Sequence, residues 1–354
     1  MKRARRYLGL RRLAAGMGLL VSLAAAGLWF RPLGLNALQS RAEPAPSREE
    51  ALRILQGLTE ADPAVSLPIC RTTLLEHGAQ SELAVVLLHG FTNCPEQFRM
   101  LGTILYEAGC NVVIPLTPDH GSEDRMTMAL AGLTAEEMTV MCDLAVDAAA
   151  GLGRRTVVVG LSSGGTMAAW VAQHRAVERV LVLSPVAGVP GLSPVFTRPA
   201  TSFALLWPNR FWWWDAELKE GLPGPPYAYP RFATRGMAEV LRLGLHVLEE
   251  ASRSAPRSNS IVLVTNGSDT AVNFDSIALL RREWTRSVGG AVENVEFPAE
   301  EHLHHDLIDP LQVDAKIGRV YPELLALILQ APKEPGNQRG GEPGSASEAG
   351  SGGG

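Results

Sequence analysis

Cysteine is scarce, with four in 354 residues. That is too few for a fold held together by disulfides. Glycine (35) and proline (24) are plentiful but follow no G-X-Y period, which excludes a collagen-like chain. No segment repeats at roughly 20–50 residues, so the chain is not a solenoid or a propeller. A positive surplus is also missing. The formal net charge is −5, which argues against gripping nucleic acid over a broad surface. Hydrophobic residues reach 46%, so the chain is not disordered throughout. Its length suits two domains, or one α/β domain of about 250–300 residues with appended segments.

The net charge hides an asymmetry. Residues 1–31 hold seven basic side chains (Lys2, Arg3, Arg5, Arg6, Arg11, Arg12, Arg31) and no acidic one. Taking those seven charges from the total of −5 leaves −12 on the rest. Between the basic groups Leu13–Phe30 runs LAAGMGLLVSLAAAGLWF, uncharged and long enough, at its limit, to span a bilayer. Trp29 and Phe30 stand where interfacial aromatics would. The positive-inside rule predicts a single-pass anchor in a bacterial inner membrane with the remainder extracytoplasmic. The alternative is a cleaved signal peptide with a weak A-x-A site at Ala24–Ala26, which gives a secreted or periplasmic chain. No cysteine closely follows the apolar run, which disfavours a lipid anchor.

Residues 32–80 read as a linker rich in Pro, Ala and Glu, with a short helical pattern at Arg48–Leu58. Over 81–331 strand-like and helix-like stretches alternate. The strand candidates are Leu83–Leu88, Asn111–Ile114, Thr156–Val159, Arg179–Leu183, Ile261–Thr265 and Val292–Phe297. Helical periodicity falls at 96–108, 134–151, 164–175, 234–252 and 273–287. Near-continuous apolar strands alternating with helices predict an α/β fold, a mostly parallel sheet with helices on both faces. Residues 186–233 are too long for an ordinary crossover and predict an inserted cap rich in Trp (Trp207, Trp212, Trp213, Trp214). Those rings would either pack the cap or line an apolar acyl pocket or touch a bilayer. Residues 332–354 read as a disordered tail.

The strongest chemical signal is Gly160-Leu161-Ser162-Ser163-Gly164, between the strand TVVV and the helical stretch GTMAAWVAQHRA. G-x-S-x-G needs that strand–turn–helix context. Glycines at both ends let a tight turn lift the Ser162 hydroxyl to the carboxyl edge of the sheet. The Ser163 N–H then lies at a helix N-terminus, facing an oxyanion on the substrate. Leu87–Asn93 (LLHGFTN) follows the first strong strand, and its Phe91 N–H is the second candidate oxyanion donor, with Gly90 supplying an unusual backbone. His89 is expected to orient this loop. A serine needs a base. VENVEF is followed by His302, His304 and His305, and IVLVT by Asp269, with Asp275 as the fallback acid.

The order HGF, GLSSGG, NGSDTAV, H…HD resembles that of the α/β-hydrolase fold over about residues 82–330. Within it the chain is similar to bacterial carboxylesterases, lysophospholipases and monoacylglycerol lipases. HGFTNCPEQF resembles their oxyanion loop, and IPLTPDHG their P-x-x-P-G-H-G loop with Asp119 in place of glycine. The resemblance implies Ser162 as nucleophile, Asp269 as acid and His305 as base, with His304 left open. It also implies ester hydrolysis through an acyl-enzyme, with no metal and no organic cofactor. The expected substrate is a small-molecule or lipid-like ester, with no nucleic-acid partner. Ser162 at the elbow separates the chain from dehalogenases and epoxide hydrolases, which carry a carboxylate there.

Other readings stay open at this level. His302, His304, His305, Asp306 and Asp309 could ligate a metal. The fold could serve a non-catalytic binding or scaffold protein, or an amidase or peptidase. Cys70, Cys94, Cys110 and Cys142 could form one bridge in an oxidising compartment, and the sequence does not pair them.

Overall fold

Uninterrupted Val/Leu runs become strands covered on both faces. The computed structural model describes residues 16–17, 22–23, 25–64, 66–214, 224–288 and 292–330. Its main sheet holds β1 (Thr73–Leu75), β2 (Ser81–Leu88), β3 (Asn111–Ile114), β4 (Gly153–Leu161), β5 (Arg179–Leu183), and, after a separate hairpin of β6 (Phe211–Trp213) and β7 (Arg231–Ala233), β8 (Ile261–Asn266) and β9 (Glu293–Phe297). The order across it is β1-β3-β2-β4-β5-β8-β9. Only β1, paired to β3, is antiparallel.

Alternation along each strand feeds two cores. Ala84, Val86, Leu88, Val158, Val180, Val182 and Leu263 pack on one face, under α1 (Arg48–Ala61), α3 (Ala135–Leu152), α4 (Ser163–His174), α6 (Thr234–Arg253) and α7 (Phe274–Val288). Val85, Leu87, Val157, Val159, Leu181 and Val262 pack on the other, under α2 (Arg99–Glu107) and α8 (Ile317–Leu329). This is the α/β architecture the strand pattern predicts. A further helix, α5 (Thr197–Leu206), precedes the β6–β7 hairpin within the long segment between β5 and α6.

Residues 32–80 differ from the linker their composition suggests. Leu38 and Leu55 are buried, and Leu38 accepts the Trp170 indole N–H at 2.7 Å. The amides of Arg41 and Glu43 donate to Asp143 and Asp147 on α3 (2.7 and 2.9 Å). Backbone donors of an irregular stretch have thus found acceptors on a neighbouring helix, which composition does not show.

Residues 1–15, 18–21 and 24, which take in the basic stretch and part of the Leu13–Phe30 run, lie outside the described residues, as do 215–223 of the expected cap and the whole expected tail, 332–354. Among the described residues no helix is long and apolar enough to cross a membrane.

Candidate active site

Parallel strands deliver their following loops to one edge of the sheet. β4 is central, and Ser162 directly follows it at φ 61°, ψ −117°. A non-glycine residue held in that region is strained, and its surroundings enforce it. The Ser162 amide donates to Leu183 O (3.0 Å). A Cβ on Gly160 would fall 2.0 Å from Gly164 O, and one on Gly164 would fall 2.0 Å from Leu88 O. The bend therefore closes only with hydrogen atoms at both positions. Ser162 is half-buried at the head of α4, and the Ser163 amide in its first turn has no helical acceptor by position.

The loop after β2 is a web of polar contacts. The Gly90 amide donates to Gln97 Oε1 (2.8 Å) and Asn93 N to Gly90 O (3.1 Å). The left-handed backbone falls at Thr92 (φ 68°), not at Gly90 as the sequence suggests. Thr92 is pinned from the inserted segment: Trp214 Nε1 donates to its hydroxyl (2.8 Å) and Tyr229 N to its carbonyl (2.8 Å). Phe91 is buried within this loop. His89 orients it. Thr117 N donates to His89 Nε2 (3.0 Å), so Nδ1 carries the proton and donates to Gly90 O (3.0 Å). Burial, with His120 nearby, drives the His89 pKa down to about 3. Both ring nitrogens are occupied and the ring is neutral, which removes His89 as a base. Asp119, in place of the resemblance's glycine, adopts φ 63°, which aspartate tolerates.

Asp269 and His305 meet across the loops after β8 and β9. His305 Nδ1 donates to Asp269 Oδ2 at 2.6 Å, while Asp269 Oδ1 accepts the Ala271 amide (2.8 Å). Burial pushes the Asp269 carboxyl up, but the His305 ring and the Ala271 amide outweigh it, so its pKa lies below the usual value. Burial pulls the His305 ring down, but Asp269 and Asp306 outweigh that, so its pKa lies above 6.5. His304 is exposed and accepts only the Asp306 amide, at 3.4 Å. Asp275 is exposed in the first turn of α7. Among the described residues neither side chain hydrogen-bonds to the pair. Among the described residues neither His305 Nε2 nor Ser162 Oγ makes a hydrogen bond, to each other or to another group.

Several supporting residues carry no sequence signal of their own. Asn266 Nδ2 donates to Leu303 O (2.9 Å) and His304 O (3.2 Å), and Ser268 Oγ to Leu303 O (3.0 Å). These bonds clamp the β9 loop onto the β8 loop. Asn93 Nδ2 donates to Asp306 Oδ2 (3.0 Å), linking the loop of Phe91 to that of His305. Tyr227 OH donates to Asp309 Oδ2 (2.7 Å), whose pKa burial and Asp306 push up to about 7. Cys70 and Cys94 are disulfide-bonded, with Cα atoms 5.2 Å apart, while Cys110 and Cys142 are buried thiols. His302 and His304 are exposed, and among the described residues no group of three His, Cys, Asp or Glu is arranged to hold a metal. Trp212 and Trp214 are 63% and 49% exposed and Trp213 is half-buried, while the Trp214 ring packs on Phe232 with centroids 4.4 Å apart.

The fold is shared with solved lipolytic enzymes. A structure of the metagenome-derived lipolytic enzymes LipS and LipT matches with TM-score 0.54 and 17% identity, covering 75% of this chain and 99% of its own. A soluble variant of monoglyceride lipase from Saccharomyces cerevisiae matches with TM-score 0.52 and 14% identity, covering 73% and 90%. The monoacylglycerol lipase of Paleococcus ferrophilus matches with TM-score 0.52 and 16% identity, covering 73% and 97%. No curated protein matches the chain significantly. At the level of sequence, the profile of the Alpha/beta hydrolase family matches residues 85–312, more than half of the chain and all of the loops described above. The chain belongs to the alpha/beta hydrolase family.

Proposed function

We propose that the protein is a serine hydrolase of carboxylic esters, working through an acyl-enzyme. The observation that carries this reading is the coincidence of a strained Ser162 at the carboxyl end of the central strand with an Asp269–His305 pair on the loops of the two strands at one side of the same sheet edge. Asp269 holds the proton on Nδ1 and leaves the Nε2 lone pair available. His305 takes the proton of Ser162 as its Oγ attacks the ester carbonyl. The Phe91 and Ser163 amides receive the developing oxyanion. His305 then returns the proton to the leaving alcohol, and water repeats the sequence on the acyl-enzyme.

The solved neighbours named as lipases favour a lipid-like ester. The exposed Trp214 ring beside Thr92 agrees with an apolar acyl group. We also place the hydrolase on the extracytoplasmic side of a membrane, tethered by residues 1–31. The Cys70–Cys94 disulfide supports an oxidising compartment.

A fluorophosphonate probe tests the chemistry. It is expected to label the wild type and not Ser162→Ala, while p-nitrophenyl esters of medium acyl chain are turned over faster than acetyl esters. An unlabelled wild type would leave a scaffold on a hydrolase fold. Labelling with turnover of amides only would make the protein an amidase.

A further inference from the structure

Helix α5 is built inside out. Thr197, Thr201 and Ser202 face inward and are buried, and the hydroxyls of Thr197 and Ser202 find no partner there. On the outside, at or just beyond the helix ends, Phe196, Phe203, Leu206 and Trp207 are each about half exposed (51, 47, 59 and 53%). A surface helix ordinarily does the reverse. Large apolar side chains left in water over unsatisfied hydroxyls are unfavourable, unless the outer face meets an apolar phase.

The path of the chain says which phase. The uncharged run that begins at Leu13 ends on this face. The Trp29 ring meets Phe196 edge to face, with centroids 6.2 Å apart. Arg198 donates to the carbonyls of Trp29 (3.2 Å) and Arg31 (3.3 Å), and Arg31 donates to Ser202 O (3.4 Å). Whatever holds the run also lies close to α5. Beside it opens a cavity of about 410 Å3, between residues 31–33, residues 131–134, α5 and α6. Leu33, Leu133 and Leu205 give it apolar walls, and Arg31, Arg235 and Arg242 line it together with one carboxylate, Glu239, which leaves a positive surplus. Arg242 is balanced by Glu136 and Glu239. Arg31 and Arg235 make no ion pair among the described residues. Uncompensated guanidinium groups in an otherwise acidic body suit an anionic oxygen ligand such as a phosphate.

We propose that this cavity seats the phosphate headgroup of an anionic phospholipid while the outer face of α5 lies in the bilayer interface. Arg31 and Arg235 grip the phosphate, and the leucines carry the upper part of the acyl chains. The enzyme would then stand on the membrane in a fixed orientation rather than swing from its tether. The proposal rests on the reading that residues 1–31 bring the chain to a membrane, and it is independent of the chemistry at Ser162.

The test uses the full-length Ser162→Ala chain in non-ionic detergent, so that no lipid is hydrolysed. Dihexanoyl-phosphatidylglycerol, dihexanoyl-phosphatidylcholine and inorganic phosphate are titrated separately. The phosphatidylglycerol is expected to bind about ten-fold more tightly than the phosphatidylcholine, because both offer the same phosphate but the choline cation of the latter is repelled by Arg31 and Arg235. Arg235→Ala, at an exposed and unpaired position, should abolish that difference while leaving the Tm without lipid unchanged. Equal affinity for the two lipids, or an Arg235→Ala chain that still discriminates, overturns the proposal. Inorganic phosphate matching the phosphatidylglycerol overturns the lipid as its source. In vesicles of lipid brominated along the acyl chains, tryptophan quenching should fall in Trp207→Phe, and unaltered quenching removes α5 from the interface. Recovery of the full chain in the soluble cell fraction would sink the tether, and the detergent titration would still judge the cavity.

Discussion

Asp269 Oδ2 lies 2.6 Å from His305 Nδ1, and the two residues come from loops after adjacent parallel strands. The contact fixes the imidazole tautomer and, through the carboxylate, holds the ring pKa above its ordinary 6.5. A base must be neutral to accept a proton, so the acid limb of kcat/KM should lie above 6.5 and fall away below it. In Asp269→Asn the carboxylate that raises the ring is gone, so the limb should move to lower pH. Its kcat should drop about 10³–10⁴-fold with KM little changed, because the wrong tautomer is favoured. The pH–rate profiles of the two proteins check both statements.

The elbow makes a sharper demand on structure than on chemistry. A methyl group on Gly164 would sit 2.0 Å from the Leu88 carbonyl oxygen, and one on Gly160 equally close to Gly164 O. Both obstacles are backbone, one at the end of β2 and one in the first turn of α4, and cannot rotate away. Gly164→Ala should therefore cost more than about 4 kcal/mol, beyond the ordinary range for one methyl group. Ser162→Ala, which leaves the bend intact, should stay within about 1 kcal/mol of wild type. Urea denaturation of the two variants separates the strain of the turn from the loss of the hydroxyl.

Much of this arrangement is legible in the sequence, for a physical reason. A parallel strand covered on both faces needs apolar side chains at nearly every position, so NVVI and RVLVL mark β3 and β5 to the residue. β1 and β6 are three residues long and take their identity from distant partners, Thr73 from Ile114 and Trp212 from Phe232. No local pattern announces such strands. In the site, the motif order leads to the loops of Asp269 and His305, whereas the clamp from Asn266 to Leu303 is a side chain to a carbonyl 37 residues away and has no spacing rule. The backbone strain fell on Thr92 rather than Gly90 because Trp214 and Tyr229 hold Thr92 from a segment more than a hundred residues later. Four cysteines allow several pairings, and only the fold brings Cys70 to Cys94.

Arg175 holds the segment before α1 through α3. Its guanidinium donates to Asp143 Oδ1 (2.6 Å) and to Asp147 Oδ1, with all three side chains buried. The same carboxylates accept from Ser40 Oγ, Arg41 N and Glu43 N. Arg175→Ala would leave two buried carboxylates facing each other without a counter-charge. The expected cost is about 3–5 kcal/mol. Arg175→Lys keeps the charge but cannot fork to both acids, so it should fall between the two. Stability against urea measures the cost. Faster proteolysis around residues 39–46 would report release of the segment, and an unaltered cleavage rate in Arg175→Ala would show that it is held from elsewhere.

His174 and His246 form a second buried seam, with Nε2 atoms 2.8 Å apart and stacked rings. One Nε2 must donate and the other accept, so at least one ring must stay neutral, and protonation of both breaks the contact. Burial is the main force that lowers each pKa to about 4, helped at His174 by the neighbouring ring and Arg257 and at His246 by Arg242 and Arg253, while Glu249 pulls the His246 value back up. The unfolded chain titrates near 6.5 and so binds more protons between these values than the folded one. The stabilisation is therefore complete above 6.5 and is lost as pH falls toward 4. His246→Leu should lower the Tm at neutral pH and flatten its decline across that window. It should not abolish the decline, because His89 and His120 are buried with pKa values of about 3 and about 4 and behave in the same sense. Thermal melts at half-unit pH steps decide it: an equally steep decline in His246→Leu would mean that the acid sensitivity arises elsewhere.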